Sequence, residues 1–261
     1  LTGIWSINVN TACNWGYNDD EKGFPEWFYE KIGLREALEK FPRQNCYAVG
    51  DKIGYLTRES AEELGLSEKV FVAQGGVDSS IGILGMGVCG PDRLALMTGS
   101  SNLTMLLTKE QMFTENTITA GPNHLLAGYY TSFRGQISAN SIIEWFRKEI
   151  AQEDDAAAFF ERMEKEAGQV PAGSRGLIAL DFFQGNRHPY LDTRVRGMIY
   201  GLSLKHTKAD IYRCLLEGIA YGTGNLLRQY RQAGVEIGEV NISGGTTNSD
   251  VFMQIMADVG N

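Results

Sequence analysis

Asp78 follows an apolar run at residues 70–74 and two glycines, Gly75 and Gly76, and it precedes a small-residue stretch at 79–88. Read as strand, turn and helix, this places a carboxylate at the C-terminal end of a strand, where open α/β sheets hold their ligands. Phosphoryl transfer to an alcohol needs one carboxylate positioned to accept the hydroxyl proton. The same position also suits a plain helix cap, with the Asp78 side chain on the N–H of Ser80 or Ile81.

Two glycine segments offer nucleotide chemistry. In Asn241-Ile242-Ser243-Gly244-Gly245-Thr246-Thr247-Asn248-Ser249 a strand ends in two glycines, and a helix opens at Asn248 or Ser249. Glycines let a ligand approach the backbone, and the first N–H groups of a helix favour anions. A simple tight turn has the same composition. The segment is neither GxxxxGK[ST] nor GxGxxG, which disfavours both of those binding classes. Met97-Thr98-Gly99-Ser100-Ser101-Asn102 is a hairpin tip whose glycine and hydroxyls can cradle a phosphate, or form an ordinary polar turn.

The elements that must position these residues follow an alternating pattern. Helices are predicted at 25–32, at Arg58–Leu64 capped by Thr57, at 142–150 and at 156–167, where Asp154-Asp155 suits the helix dipole. Strands are predicted at 94–98, 103–107, 125–132, 176–182, 198–204 and 239–243. Thr207 with Asp210 forms a capping box that opens a long helix to Gly234, and a last helix covers 249–259. Strand–helix alternation makes the class α/β. Gly90-Pro91-Asp92 is the expected boundary between domains at 1–91 and 92–261.

Bulk properties set outer bounds. The chain has 261 residues, 43% hydrophobic and 21% charged, with net charge −8, as a soluble globular protein does. The acidic balance argues against a nucleic-acid groove or a polybasic membrane anchor. No apolar run reaches the ~20 residues of a membrane span. Cys13, Cys46, Cys89 and Cys214 and the histidines His124, His188 and His206 are dispersed, so reduced thiols without structural zinc are expected. The chain opens on Leu1 and closes shortly into its last helix, so both ends read as cut from a longer protein.

Taken together, these segments resemble the FGGY carbohydrate kinase family. Gly197-Met198-Ile199-Tyr200-Gly201-Leu202, then seven residues, then Asp210-Ile211-Tyr212-Arg213-Cys214-Leu215-Leu216-Glu217 is similar to its C-terminal signature. Cys214 departs from the usual Ala or Ser, a small-for-small change. Gly185-Asn186-Arg187-His188-Pro189 with Asp192 and Arg196-Gly197 resembles the segment leading into that signature. Gly76-Val77-Asp78, with Gly82, Gly85 and Gly87, and Gly99-Ser100-Ser101 resemble its catalytic and phosphate segments. Gly244 to Asn248 with Met253-Gln254 resembles its adenosine stretch, and the order is kept over nearly the whole chain.

The resemblance implies a ribonuclease H-like, actin/hexokinase-like fold, with the tail of the sugar-binding domain at 1–91 and the nucleotide-binding domain at 92–261. It implies transfer of a phosphoryl group from ATP, with Mg²⁺, to a sugar hydroxyl, with Asp78 as general base. Gly99, Ser100 and Ser101 would hold phosphates, and Gly244, Gly245 and Thr246 the adenosine. Asn140 stands where a nucleotide-contacting Gly is frequent, and Asp250 where Asn is. Cys13-Asn14-Trp15-Gly16-Tyr17 resembles the ribulokinase/xylulokinase-like branch, where Asn14 stands at the place of a frequent Lys that touches the sugar; this implies a ketopentose, with glycerol, erythritol and a deoxy-sugar left open. The expected partners are a small-molecule sugar and ATP in the cytoplasm, with no nucleic acid, no membrane and a homodimer left open. A binding or regulatory module of the same fold is the alternative. The family's metal-linked loop is absent from this sequence, so no metal ligand is expected here and the isolated piece is expected to be inactive. Trp5, Trp15 and Trp27 can wall a sugar pocket or pack the opening segment, while Glu144 reads as a solvated helix face and His188 as a loop hydrogen-bonder.

Overall fold

A computed structural model of the protein describes residues 1–112 and 118–260. These residues divide into two compact units. The first comprises Leu1–Pro91, 106–112 and Ile118–Ser132; the second comprises Asp92–Met105 and 133–260.

The first unit begins with β1 (Ile7–Asn8) and α1 (Val9–Cys13), where the Asn8 side chain accepts the Thr11 N–H as a cap. α2 (Glu26–Lys31) and a 3₁₀ turn, Arg35–Lys40, follow. β2 (Cys46–Tyr47) pairs in parallel with β1. Val9, Ala12, Tyr17, Phe24, Tyr29 and Leu38 bury themselves between these short pieces. The Phe24 and Phe41 rings stack at 4.8 Å, and such ring pairs add about 0.5–1.5 kcal/mol beyond burial alone. β3 (Lys52–Tyr55) and β4 (Phe71–Ala73) form an antiparallel pair around α3 (Arg58–Leu64). As expected, Thr57 caps α3 by accepting the Ser60 N–H. α4 (Asp78–Gly85) then starts at Asp78.

The main sheet has the order β11-β5-β6-β8-β7. Its strands are β5 (Arg93–Thr98), β6 (Asn102–Thr108), β7 (Ile118–Thr119), β8 (Tyr130–Gln136) and β11 (Glu239–Gly244). The third strand begins later than the predicted residue 125. Asn123 Oδ1 accepts the Gly128 N–H at 2.7 Å and closes a turn, so extension starts only at Tyr130.

In the second unit α5 (Asn140–Trp145) runs into a π turn at Phe146–Ala151, so the predicted helix starts two residues earlier and is underwound at its end. α6 (Ala156–Gly168) is capped by Asp155. The apolar runs at 176–182 and 198–204 shorten to the antiparallel pair β9 (Ile178–Leu180) and β10 (Met198–Tyr200). α7 (Lys208–Gln232) opens with the predicted capping box of Thr207 and Asp210. A 3₁₀ turn, Gly245–Asn248, then leads into α8 (Asp250–Gly260). Phe146, Phe159 and Tyr212 meet ring to ring at 5.8–6.4 Å and lock the π turn, α6 and α7 together. All four cysteines are free. No described helix is long and apolar enough to cross a membrane.

One buried histidine links the first unit to pH. His124 is 3% exposed and its Nδ1 meets Thr131 Oγ1 at 3.0 Å. Burial pushes its pKa from 6.5 down to about 4. On acidification the unfolded chain therefore takes up the proton first, and the stabilisation present above pH 6.5 is lost as pH falls towards 4. The loss approaches about 3 kcal/mol. Thermal melts should show the midpoint dropping across this window, and His124→Asn should flatten the profile. A wild-type midpoint unchanged between pH 6.5 and 4 would contradict a buried neutral imidazole.

Candidate functional site

The second unit contains a cavity of about 760 Å³, a size typical of small-molecule sites. Its rim begins at the ends of two parallel neighbours, β5 and β11, which are in register with Gly244 opposite Thr98. Gly244 has φ +123°, and a Cβ there would stand 1.8 Å from the Thr98 carbonyl oxygen. Only glycine permits this approach. It brings the two glycine segments side by side, and the Thr98 and Thr246 hydroxyls bond to each other. Thr98 Oγ1 also donates to the Ser243 carbonyl at 3.0 Å.

Gly99 and Ser100 line the cavity from the β5–β6 tip, Asn140 from the start of α5, and Gly245 and Thr246 from the loop after β11. Five of the nucleotide-site residues expected from sequence thus surround one space. Three do not line it. Ser101 is exposed at the tip, Gly244 packs on Thr98, and Asp250 is an exposed first-turn residue of α8.

Local hydrogen bonding differs from a plain donor nest. The Gly99 N–H is spent on the Ser101 carbonyl at 2.9 Å. The Gly99 and Ser100 carbonyls accept from the Asn140 and Ala139 N–H groups at 3.1 and 2.9 Å, and Ser141 Oγ also donates to Ser100. The tip is therefore strapped to the first turn of α5.

A second difference concerns the N-terminus of α8, expected from sequence to offer free N–H groups to an anion. Glu164, on α6, accepts the Val251 N–H at 2.8 Å and the Ser249 hydroxyl at 2.7 Å. Ser249 Oγ accepts the Phe252 N–H at 3.0 Å. The protein's own carboxylate occupies the position an anion would take, which corrects that expectation. Glu164 is 85 residues from Ser249, so no local pattern could reveal the pairing.

Sequence reasoning also missed the apolar wall. Ile143, Phe160, Tyr212, Leu216 and Phe252 face the cavity. Tyr212 and Leu216 lie within the signature stretch, but they read there as ordinary helix residues. Their neighbours Arg213 and Glu217 do something else. Glu217 accepts from Arg213 Nε at 2.9 Å, the Ser174 hydroxyl at 2.8 Å and the Gly173 N–H at 3.1 Å, which pins the turn before β9. Cys214 is 1% exposed, and burial pushes its thiol up to about 12. Glu144 lines the cavity while paired with the buried Arg147 at 3.0 Å. It is therefore more than a solvated helix face.

The remaining sequence candidates are placed individually. Asp78 is exposed at the first position of α4, and its Oδ1 accepts the Ser79 N–H at 2.7 Å. The cap through Ser80 or Ile81 does not form. Asn14 is exposed at the C-cap of α1. Trp15 is 54% exposed, with its ring 5.7 Å from that of Phe41. Trp5 and Trp27 are exposed as well. His188 is a loop hydrogen-bonder whose Nδ1 accepts the Gly135 N–H at 3.0 Å. Among the described residues no group of three or more His, Cys, Asp or Glu is placed to hold a metal ion, so no step is assigned here to Mg²⁺.

Residues 94–261 match the C-terminal domain of the FGGY family of carbohydrate kinases. The chain belongs to this family. The ribulokinase of Anoxybacillus flavithermus is 30% identical over 97% of this chain and 47% of its own length. The ribulokinase of Halalkalibacterium halodurans is 32% identical over 97% and 47%. The chain thus spans about half the length of these relatives. The crystal structure of xylulose kinase from Rhodospirillum rubrum superposes with a TM-score of 0.84 at 26% identity, covering all of this chain and 51% of that one. A xylulose kinase structure from Brucella ovis gives 0.85 at 22% and supports the fold alone. These matches carry the expected actin/hexokinase-like fold of the FGGY kinases.

The two loop glycines separate by their surroundings. A Cβ at Gly245 meets nothing within 4 Å, whereas one at Gly244 collides with Thr98. Gly245→Val should leave the thermal midpoint within a few degrees, because its side chain enters open cavity volume, and ATP titrated against this variant should bind roughly tenfold more weakly than to the wild type if the cavity holds the nucleotide. Gly244→Ala should instead destabilise the fold by about 2–3 kcal/mol. Melting curves and ATP calorimetry on both variants check this. Equal destabilisation by the two would refute the distinction.

Proposed function

We propose that this chain forms part of an ATP-dependent carbohydrate kinase acting on a ketopentose such as ribulose or xylulose. The observation that carries the proposal is the cavity bounded by both glycine segments, in a member of a carbohydrate kinase family whose ribulokinase relatives align over both units. The apolar wall of Ile143, Phe160, Tyr212, Leu216 and Phe252 suits a purine face. Glu164 disfavours an anion at the α8 end, so the base or ribose takes that end and the phosphates lie towards Gly99 and Ser100. Residues 92–261 act as the nucleotide domain and 1–91 as part of the sugar domain, where Asn14 and Trp15 meet the sugar.

Asp78 serves as general base. One carboxylate oxygen is held by the Ser79 N–H, the group is exposed, and it forms no ion pair among the described residues. As the sugar hydroxyl oxygen bonds to the γ-phosphorus of ATP and the bond to ADP breaks, its proton passes to Asp78. Mg²⁺ bound with the nucleotide would neutralise phosphate charge; among the described residues no cluster is placed to hold it. The binding-only alternative has no observation in its favour.

In the whole protein Asp78→Asn should keep ATP affinity while turnover falls by ~10²–10⁴-fold. ADP release measured over a panel of ribulose, xylulose, glycerol and erythritol checks both the reaction and the substrate class. Near-normal turnover in the variant would remove Asp78 as base, and activity confined to the polyols would remove the ketopentose.

A further inference from the structure

Asn10 is fully buried in α1, with 0% exposure. A buried carboxamide is expensive unless both ends are bonded, and here both are. Its Oδ1 accepts the Val77 N–H at 2.8 Å, and its Nδ2 donates to the His124 carbonyl at 2.8 Å. These partners lie 67 and 114 residues away along the chain. The His124 ring is in turn anchored on Thr131.

The turn before Asp78 is built around this side chain. A Cβ at Gly76 would stand 2.6 Å from Asn10 Oδ1 and 3.0 Å from Val49 Cγ2, so the glycine leaves the room that the carboxamide fills. Val77 is the N-cap of α4 and makes no side-chain cap bond of its own. Its peptide groups are fixed on both sides, the N–H by Asn10 and the C=O by the Ile81 N–H at 2.9 Å. Asp78 is the next residue, and its exposed carboxylate is otherwise held by the adjacent Ser79 N–H. Its direction therefore follows the orientation of the Val77 peptide.

We infer that Asn10 is a positioning residue for the Asp78 carboxylate, acting through the Val77 N–H. The inference rests on the reading of Asp78 as proton acceptor.

The test is a double-mutant cycle in the whole protein, assayed by ADP release with ATP and either ribulose or xylulose, beside ADP calorimetry. Asn10→Ala should lower kcat by roughly tenfold to a hundredfold, as small misplacements of catalytic groups do, and leave ADP affinity unchanged. In the Asp78→Asn background the same substitution should change the residual rate by less than about threefold, because residues acting as one unit are not additive. An equal loss in both backgrounds, or none in the wild type, would overturn the inference. Near-normal turnover of Asp78→Asn alone would instead overturn the reading beneath it, so the two failures differ. Should Asn10→Ala not fold, Asn10→Asp decides. It keeps an oxygen towards Val77 and, protonated by burial, a donor towards His124, so kcat should stay within about tenfold of wild type. A folded Asn10→Asp variant as slow as Asp78→Asn would count against it.

Discussion

Strand β11 pairs in parallel with β5, and Gly244 sits opposite Thr98 with its α-carbon almost against the Thr98 carbonyl. Both strands end there in glycine-containing loops, so the pairing itself sets two flexible-backbone segments side by side. The bond between the Thr98 and Thr246 hydroxyls fixes their separation. The ring cluster of Phe146, Phe159 and Tyr212 holds α6 and α7 at the distance that leaves a cavity beside the loops. Side chains that could have filled it stop at the wall.

The carboxylates around the cavity are satisfied within the protein itself. Glu144 is neutralised by Arg147 and Glu161 by Lys165. Glu164 forms no ion pair among the described residues and is satisfied by the Val251 N–H and the Ser249 hydroxyl. A carboxylate at a helix N-terminus is stabilised by the dipole, and its presence discharges the attraction that the same helix end would exert on a phosphate.

The segment with the strongest family resemblance serves mainly to hold the structure together. Arg213 and Glu217 pin the turn at Gly173 and Ser174, and Thr207 with Asp210 starts the long helix. Tyr212 and Leu216, which directly precede Arg213 and Glu217, line the cavity from the same turns of α7. One stretch of α7 thus ties a distant turn and, one residue position round the helix, walls the cavity.

Local chemistry was legible in the sequence wherever it depended on neighbours along the chain. The α/β alternation, the Thr57 cap on α3, the capping box of α7, the Asp155 cap on α6 and the glycine ends of β5 and β11 follow from short-range hydrogen bonding and side-chain periodicity. The family resemblance also grouped Gly99, Ser100, Asn140, Gly245 and Thr246, which line one cavity. The tertiary structure decided what those residues face. It gave the α8 N-terminus to Glu164, removed Ser101 and Asp250 from the cavity lining, and built the apolar wall from four separate segments. It also joined Asn10 to the turn before Asp78. Each of these depends on contacts between residues distant in the chain, whose geometry is set by packing and is not encoded in any local pattern.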